Sequence, residues 1–385
     1  MEPRPAVALD GPDLATAVAR AVGAPVARIV GTRREPLDYD AFLAGRSVTR
    51  IRGTAVLDGA EAEWSFIEKL TEGPGVASAY LHDNGSREFA AYQSGLLDDL
   101  APGVAAPGLL SSARSRDGRL TLWIEDVAAG ERRSLTDAQL LTAARHLGRM
   151  AGRWRDRIPD EPWLFGGWID RHSQPEAVVD GLATLEGVTA GAEIENRLGC
   201  SLDDAKRLIN AQPSFKAALE RLPTTLCHHD AVAANLFPRV RAGSTQTVLI
   251  DWESIGPGPA GADLASLLFS SARRGDLSAR AASALLPAAL EAYAEGMADV
   301  GATVRDSALR LGLFGAISLR WTLVRDVVRV MQGSGTALRG SAPHESPDEA
   351  LGELIGLVPL LFHAATEATA LLKVEQRARR RAPRL

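Results

Sequence analysis

Between Cys227 and Phe237 the chain reads Cys-His-His-Asp-Ala-Val-Ala-Ala-Asn-Leu-Phe, which sets His228, Asp230 and Asn235 at the spacing His-x-Asp-x-x-x-x-Asn. A short apolar run, Val248-Leu249-Ile250, then delivers Asp251-Trp252-Glu253. An apolar run of this kind reads as a buried strand with a carboxylate at its end. Asn235 stands far enough beyond Asp230 for a loop to turn and a strand to begin. Any fold this chain adopts has to bring the loop and the strand end to one place if the three polar side chains are to act together.

The residue types suit phosphoryl transfer. A hydroxyl attacking the γ-phosphate of a nucleotide needs an acceptor for its proton, and Asp230 at a loop tip supplies one. A carboxylate brought against a triphosphate meets repulsion of about 4 kcal/mol per close charge pair at an effective dielectric of about 20. A divalent cation between them removes that repulsion. Mg²⁺ takes hard oxygen ligands and keeps some of its waters, so one amide oxygen and one carboxylate, Asn235 and Asp251, suffice. The bland reading is that such residues only cap turns. For His228 alone it is the better one: an imidazole two residues before the base braces the loop through backbone hydrogen bonds.

This constellation resembles the aminoglycoside phosphotransferase and choline kinase group, small-molecule kinases with a protein-kinase-like fold. Their catalytic loop reads His-Gly-Asp-x-x-x-x-Asn and their metal-binding strand ends in Ile-Asp-Trp-Glu. Here the counterparts are His228-His229-Asp230 through Asn235, and Ile250-Asp251-Trp252-Glu253. The downstream Gly-x-Asp-Leu-Ala matches Gly261-Ala262-Asp263-Leu264-Ala265, with Asp263 in a structural role at a helix start. One departure is His229, where the family has glycine, which puts a bulkier wall or an extra titratable group near the acceptor hydroxyl. The resemblance implies an α+β, bilobal fold: a small N-terminal lobe with antiparallel sheet and helix over residues 1–127, and a larger, mostly helical C-terminal lobe over residues 128–385. It also implies ATP and Mg²⁺ as cofactors.

The N-terminal half carries weaker signals. Trp64-Ser65-Phe66-Ile67-Glu68-Lys69-Leu70 alternates as a strand with Ser65, Ile67 and Lys69 on one face. In the family such a lysine contacts nucleotide phosphates and pairs with a helix-borne glutamate, a role that falls here to Glu88. Glu68, beside it, stands where the family is apolar. Leu122-Trp123-Ile124-Glu125-Asp126-Val127 resembles the family's hinge, where backbone groups around Glu125 and Val127 meet the adenine edge. No clear Gly-x-Gly-x-x-Gly phosphate loop appears in this half, and Arg50-Ile51-Arg52-Gly53-Thr54 is the best candidate for the turn over the phosphates.

The remaining pattern sets the frame. A helix from Asp13 to Val22 is expected, then strands around Ser47 to Val56 and Glu63 to Leu70, a helix after Ser86, and strands near Leu109 and Leu120 to Val127. Thr136-Asp137-Ala138-Gln139 reads as a capping box, followed by Leu140, Ala144, Leu147, Ala151 and Trp154 at helical spacing. Helices are expected from Leu182 to Ala218 and from Ala262 to Leu372. Gln332 to Pro347, rich in Gly, Ser and Pro, reads as a disordered loop or a lid. The basic tail, Arg377 to Arg384, reads as a solvated helix end.

A formal charge of −5 offers no broad attraction for nucleic acid or acidic membrane and mildly favours a cationic acceptor. The two cysteines, Cys200 and Cys227, read as idle thiols rather than a disulfide or metal pair. With no secretory signal and no apolar run near the ~20 residues that span a bilayer, a cytoplasmic protein is expected. Trp163 to Asp170, Trp252-Glu253 and Arg320-Trp321 are acceptor-site candidates, with core packing the more ordinary explanation for each. The leading reading is an ATP- and Mg²⁺-dependent phosphotransferase acting on a small-molecule hydroxyl of aminoglycoside, aminosugar, nucleoside-like or antibiotic type. Its rivals are a metal-dependent hydrolase using His228, His229, Asp230 and Asp251, and a kinase-fold binding protein without catalysis.

Overall fold

The computed structural model describes residues 7–8, 13–37, 46–71, 86–128 and 134–381. The small lobe is built on a mixed sheet of β1 (Val7–Ala8), β2 (Arg28–Pro36), β3 (Arg46–Leu57), β4 (Ala60–Thr71), β6 (Leu109–Arg114) and β7 (Leu120–Glu125), in the order β1-β6-β7-β4-β3-β2. Two helices flank it, α1 (Leu14–Val22) and α2 (Ser86–Ser94). A two-residue strand, β5 (Val104–Ala105), precedes β6 but pairs with the large lobe.

The large lobe starts with α3 (Asp137–Arg153) and continues through α4 (Trp168–His172), α5 (Pro175–Glu186), α6 (Gly191–Leu198), α7 (Leu202–Asn210) and α8 (Gln212–Leu219). The short strands β8 (Thr224–Cys227), β9 (Leu236–Arg241), β10 (Ser244–Leu249) and β11 (Gly256–Pro259) interrupt the helices. Then follow α9 (Ala262–Ala265), α10 (Ser271–Arg274), α11 (Ala279–Asp299), α12 (Asp306–Ser318), α13 (Thr322–Met331), α14 (Pro347–Gly356) and α15 (Val358–Arg381). Between α9 and α10 the turn Ser266–Ser270 is wound as a π-helix. This is the two-lobed α+β architecture the sequence implied.

Local chemistry explains the elements that frame the cleft. Asp13 caps α1 by accepting from the Ala15 and Thr16 amides, and Gly23 ends it in the left-handed conformation. Ala17 and Val18 of α1 pack on Ile51, Trp64, Phe66 and Trp123, forming a second small core on the sheet face away from the cleft. Alternation along β4 thus sends Trp64, Phe66 and Glu68 to that core and Ser65, Ile67 and Lys69 to the opposite face. Glu68 is accommodated there because the Trp123 indole N–H donates to it at 2.9 Å and Arg34 pairs with it. The capping box at Thr136 and Gln139 starts α3, whose Leu140, Ala144, Leu147 and Ala151 are buried in the main core.

Several expectations give way. Arg50-Ile51-Arg52-Gly53-Thr54 is no turn but the middle of β3, paired along its length with β4. Gly53 is needed for packing: a Cβ there would lie 1.9 Å from the Gly31 carbonyl oxygen of β2. The β2–β3 connection lies outside the described residues. β2 itself escaped the sequence reading because both of its faces are largely exposed, so it shows no alternation.

Gln332 to Pro347 is held in place as an ordered segment rather than as a free lid. Arg339 within it is buried, donates to the Ala272 carbonyl at 2.8 Å and pairs with Glu345, and the Ser341 amide donates to the Arg274 carbonyl at 2.8 Å. Pro347–Val374 is long and apolar enough to cross a membrane by length and composition, contrary to the sequence expectation. Its Leu357, Val358, Leu361, Ala364 and Ala368 are fully buried in the main core, and the most apolar stretch is 39% buried overall. The side chains of the basic tail lie outside the described residues.

Candidate active site

The loop after β8 carries Asp230, and Asp263 holds it. One Asp263 oxygen accepts the His228 amide at 2.8 Å and the other accepts the His229 amide at 2.7 Å. Burial raises the Asp263 carboxyl to about 6, against the pull of those two donors. Ser266 in the π-turn donates to the His229 carbonyl, and Ser271 accepts the Ala233 amide at 2.8 Å. The catalytic-type loop is therefore sewn to the following helix by a carboxylate and two hydroxyls.

His228 braces rather than reacts. Its Nε2 donates to the Ile250 carbonyl at 2.9 Å, and its Nδ1 accepts the Asp230 amide at 3.3 Å, which fixes one neutral tautomer. Burial lowers its pKa to about 4. His229 has φ +64°, the left-handed region where glycine is the easy occupant, which explains the glycine at this place in the family motif. Its ring turns into the large lobe, stacked on Trp168 with centroids 4.9 Å apart, while Nε2 donates to the Pro257 carbonyl. Burial pushes its pKa to about 3, so the expectation of a titratable wall beside the acceptor does not hold.

Asp230 is more open, with a side chain 37% exposed. Asn235 donates to its Oδ2 at 3.0 Å and to its backbone carbonyl at 2.9 Å, and the Arg274 guanidinium stands 3.5 Å away. Desolvation raises the Asp230 pKa, with Arg274 opposing. Asn235 is tied in turn to the segment after β10, because the Ile250 amide donates to its carbonyl at 3.0 Å, one residue before Asp251.

Asp251, two residues past β10, is in the left-handed conformation, φ +69°, with its carboxylate turned to the small lobe. The Lys69 ammonium lies 2.8 Å from Asp251 Oδ1 and 2.8 Å from Glu88 Oε1. Burial alone would lower the Lys69 pKa, but the Asp251 and Glu88 charges outweigh it and hold it above the ordinary value. Helix α2 is docked to suit: Arg87 donates to the Glu253 carbonyl at 2.7 Å and Glu88 accepts weakly from the Trp252 amide. Arg46, at the start of β3, pairs with Glu253 in a nearly buried contact. Sequence reasoning missed Arg46, which no motif marks.

The structure thus brings Lys69, Glu88 and Asp251 into direct contact, and Asp230 and Asn235 into a second contact joined to the first through Ile250. Glu125 and Val127 lie where the small lobe ends. The Glu125 side chain is engaged by Arg239 at 2.8 Å and by the Gly108 amide, and its own amide donates to the Gly108 carbonyl at 2.8 Å. Trp168, Trp252 and Trp321 are fully buried and pack the core.

The four hydrolase ligands do not converge. Both His228 nitrogens and one of His229 serve backbone groups. Among the described residues the acid, thiol and imidazole groupings close enough to share an ion are Cys227–His229–Asp263 and Glu88–Asp251–Glu253.

The chain belongs to the phosphotransferase enzyme family, whose model matches residues 76–302, more than half of its length. It is a phosphotransferase of the kind that acts on small molecules. No curated protein matches it by sequence. Solved structures with similar backbones include a microcompartment-associated aminopropanol kinase, 15% identical, with 89% of this chain and 95% of that one covered at a TM-score of 0.49. A putative aminoglycoside phosphotransferase from Ralstonia eutropha JMP134 is 13% identical, with 94% and 99% covered at 0.48. A spectinomycin phosphotransferase in complex with ADP and spectinomycin is 14% identical, with 87% and 93% covered at 0.45.

Proposed function

We propose that the chain transfers the γ-phosphoryl group of ATP to a hydroxyl of a small molecule, with Asp230 as the base. The observation that carries this reading is the Lys69 bridge, in which one ammonium touches a small-lobe helix carboxylate and the Asp251 carboxylate of the large lobe at 2.8 Å each. A cation in that position suits nucleotide phosphates as a point charge. The family expects a divalent metal here, and the donor set fits Mg²⁺. Asn235 has its amide nitrogen committed to Asp230, which leaves its oxygen as a hard donor on a loop tied through Ile250 to Asp251. The metal supplies charge neutralisation of the phosphates.

In this scheme Asp230 orients the acceptor hydroxyl and takes its proton, while Asn235 keeps the carboxylate aimed. Lys69 and Glu88 position the phosphates, and backbone of Glu125 and Val127 meets the base edge. The lobe boundary falls at residues 127 and 128. Asp230→Asn is expected to keep Mg²⁺-dependent ADP binding and to lose on the order of 10² to 10⁴ in turnover, the size of a general-base contribution. Turnover within a few-fold of the parent removes Asp230 from the role. Calorimetry of ADP with and without Mg²⁺, on the parent and on Asp251→Ala, tests the metal assignment.

A further inference from the structure

We infer that the acceptor of this phosphotransferase carries an oxyanion, a carboxylate or phosphate ester, close to the hydroxyl that is phosphorylated, and that Arg274 selects for it. The inference rests on the kinase reading and names its substrate class.

Arg274 closes the helix that follows the π-turn and lies 41% exposed, with its guanidinium 3.5 Å from both Asp230 oxygens. That separation is at the limit for a hydrogen bond, well short of the paired forks an arginine forms with a carboxylate at full strength. The guanidinium therefore keeps donors for a second anion while standing where an acceptor hydroxyl must approach the base. Its backbone is fixed by Ser341, which donates to the Arg274 carbonyl.

A groove of about 700 Å³ runs between α4, α5 and α8, lined by Asp170, Arg171 and Lys216 among others, with neither Asp230 nor Arg274 in its lining. Arg171 is close enough to Asp230 to act on its charge. Three of the acids on this side are paired: Asp170 with Lys216, Asp180 with Arg325 and Arg329, and Asp326 with Arg273 and Arg325. A polycationic amine entering here would find Arg274 at the base and these acids tied to basic partners. An oxyanion would find a planar fork already oriented. The formal charge of −5 pointed the other way because it sums the whole surface, whereas the acceptor meets only the side chains around Asp230.

The test is calorimetric binding to the full chain loaded with Mg²⁺ and ADP, using gluconate, glucose 6-phosphate, glucose, glucosamine and kanamycin as probes. At least one of the two anions should bind tenfold or more tighter than glucose, with glucosamine and kanamycin weaker than glucose. Which anion wins separates carboxylate from phosphate. Arg274→Gln should erase the anion's advantage, Arg274→Lys should restore part of it, and ADP affinity should stay unchanged as the control for folding. Tighter binding of glucosamine or kanamycin, anion binding no tighter than glucose, or an advantage that survives in Arg274→Gln overturns the inference. ATP turnover on the same probes adds a kinetic reading: Arg274→Gln should raise KM for the anion more than it lowers kcat, and a uniform loss of kcat on all acceptors overturns a selective role. Failure of Mg²⁺-dependent ADP binding in the parent would instead strike the kinase reading itself.

Discussion

Lys69 and Asp251, 182 positions apart in the chain, meet at 2.8 Å and join strand β4 of the small lobe to the segment just after β10 in the large one. The contact is nearly buried, with side chains 15% and 17% exposed. It works because Glu88 supplies the second negative charge.

Lys69→Met should therefore do more than weaken nucleotide binding. Removing the cation leaves Glu88 and Asp251 facing each other in a poorly solvated place, at a cost of about 3 kcal/mol. A lower denaturant midpoint together with loss of ADP affinity is the expected result. Unchanged stability would show that the two carboxylates find other neutralisation.

His229→Gly separates backbone strain from packing. Glycine relieves a left-handed conformation worth ~1 kcal/mol but removes the ring stacked on Trp168 and its bond to Pro257. The packing loss, ~2–4 kcal/mol for a large-to-small change in a core, is the larger effect. The variant should be less stable than the parent by ~1–3 kcal/mol, with kcat changed less than tenfold because the ring does not line the cleft. Chemical unfolding and steady-state rates measure both, and a stabilised variant would reverse the ranking of the two effects.

Asp263→Asn tests the clamp on the loop. The asparagine oxygen can still accept one of the two amides, but its NH₂ would face the other donor, at a cost of ~1–3 kcal/mol. Turnover should fall tenfold or more while ADP affinity stays within about threefold, since the clamp serves Asp230 rather than the Lys69 group. An equal loss in both would mean that the clamp supports the whole cleft.

Stability should fall on mild acidification. His228 and His146 are lowered to about 4 and His229 to about 3, chiefly by burial, against an ordinary value of 6.5. Below pH 6.5 the unfolded chain binds protons that the folded chain refuses, so each histidine stabilises the fold above that pH. This contribution is lost at up to ~1.4 kcal/mol per pH unit as pH drops towards the folded values. Asp263, raised to about 6, acts in the opposite sense below that pH, as does Asp230, but two carboxyls do not offset these three histidines together with His172, which burial also holds well below its ordinary value. Unfolding free energies from denaturant titrations should decline between pH 7 and 5, by on the order of 3–5 kcal/mol. A flat or rising profile contradicts the burial of these rings.

Much of the site was readable because its chemistry sits in short local motifs: Asp230 with Asn235, and Asp251 at the end of an apolar strand. The face of Lys69 followed from simple alternation. What escaped had no local period or depended on distant partners. β2 is exposed on both sides, and Arg50 to Thr54 looked like a turn only because Gly53 was read for its backbone freedom instead of for its contact with Gly31. Arg273 and Arg274 are neighbours of identical type, yet one pairs with Asp326 and the other stands at Asp230. The Gln332 to Pro347 segment has a loop composition, and its order comes from Arg339 reaching carbonyls in a helix and turn more than 60 residues earlier.

The π-wound turn at Ser266–Ser270 fixes the azimuth of everything after it. A π-bulge amounts to one extra residue in an α-helix, so excising a single position there would rotate the following turn by roughly 100° about the axis. Ser266 and Asp263 would keep their hold on the loop, whereas Arg274 would swing away from Asp230. The distance between the Asp230 carboxylate and the Arg274 guanidinium is thus encoded in helical phase as well as in side-chain identity, and one inserted residue sets the angle between them.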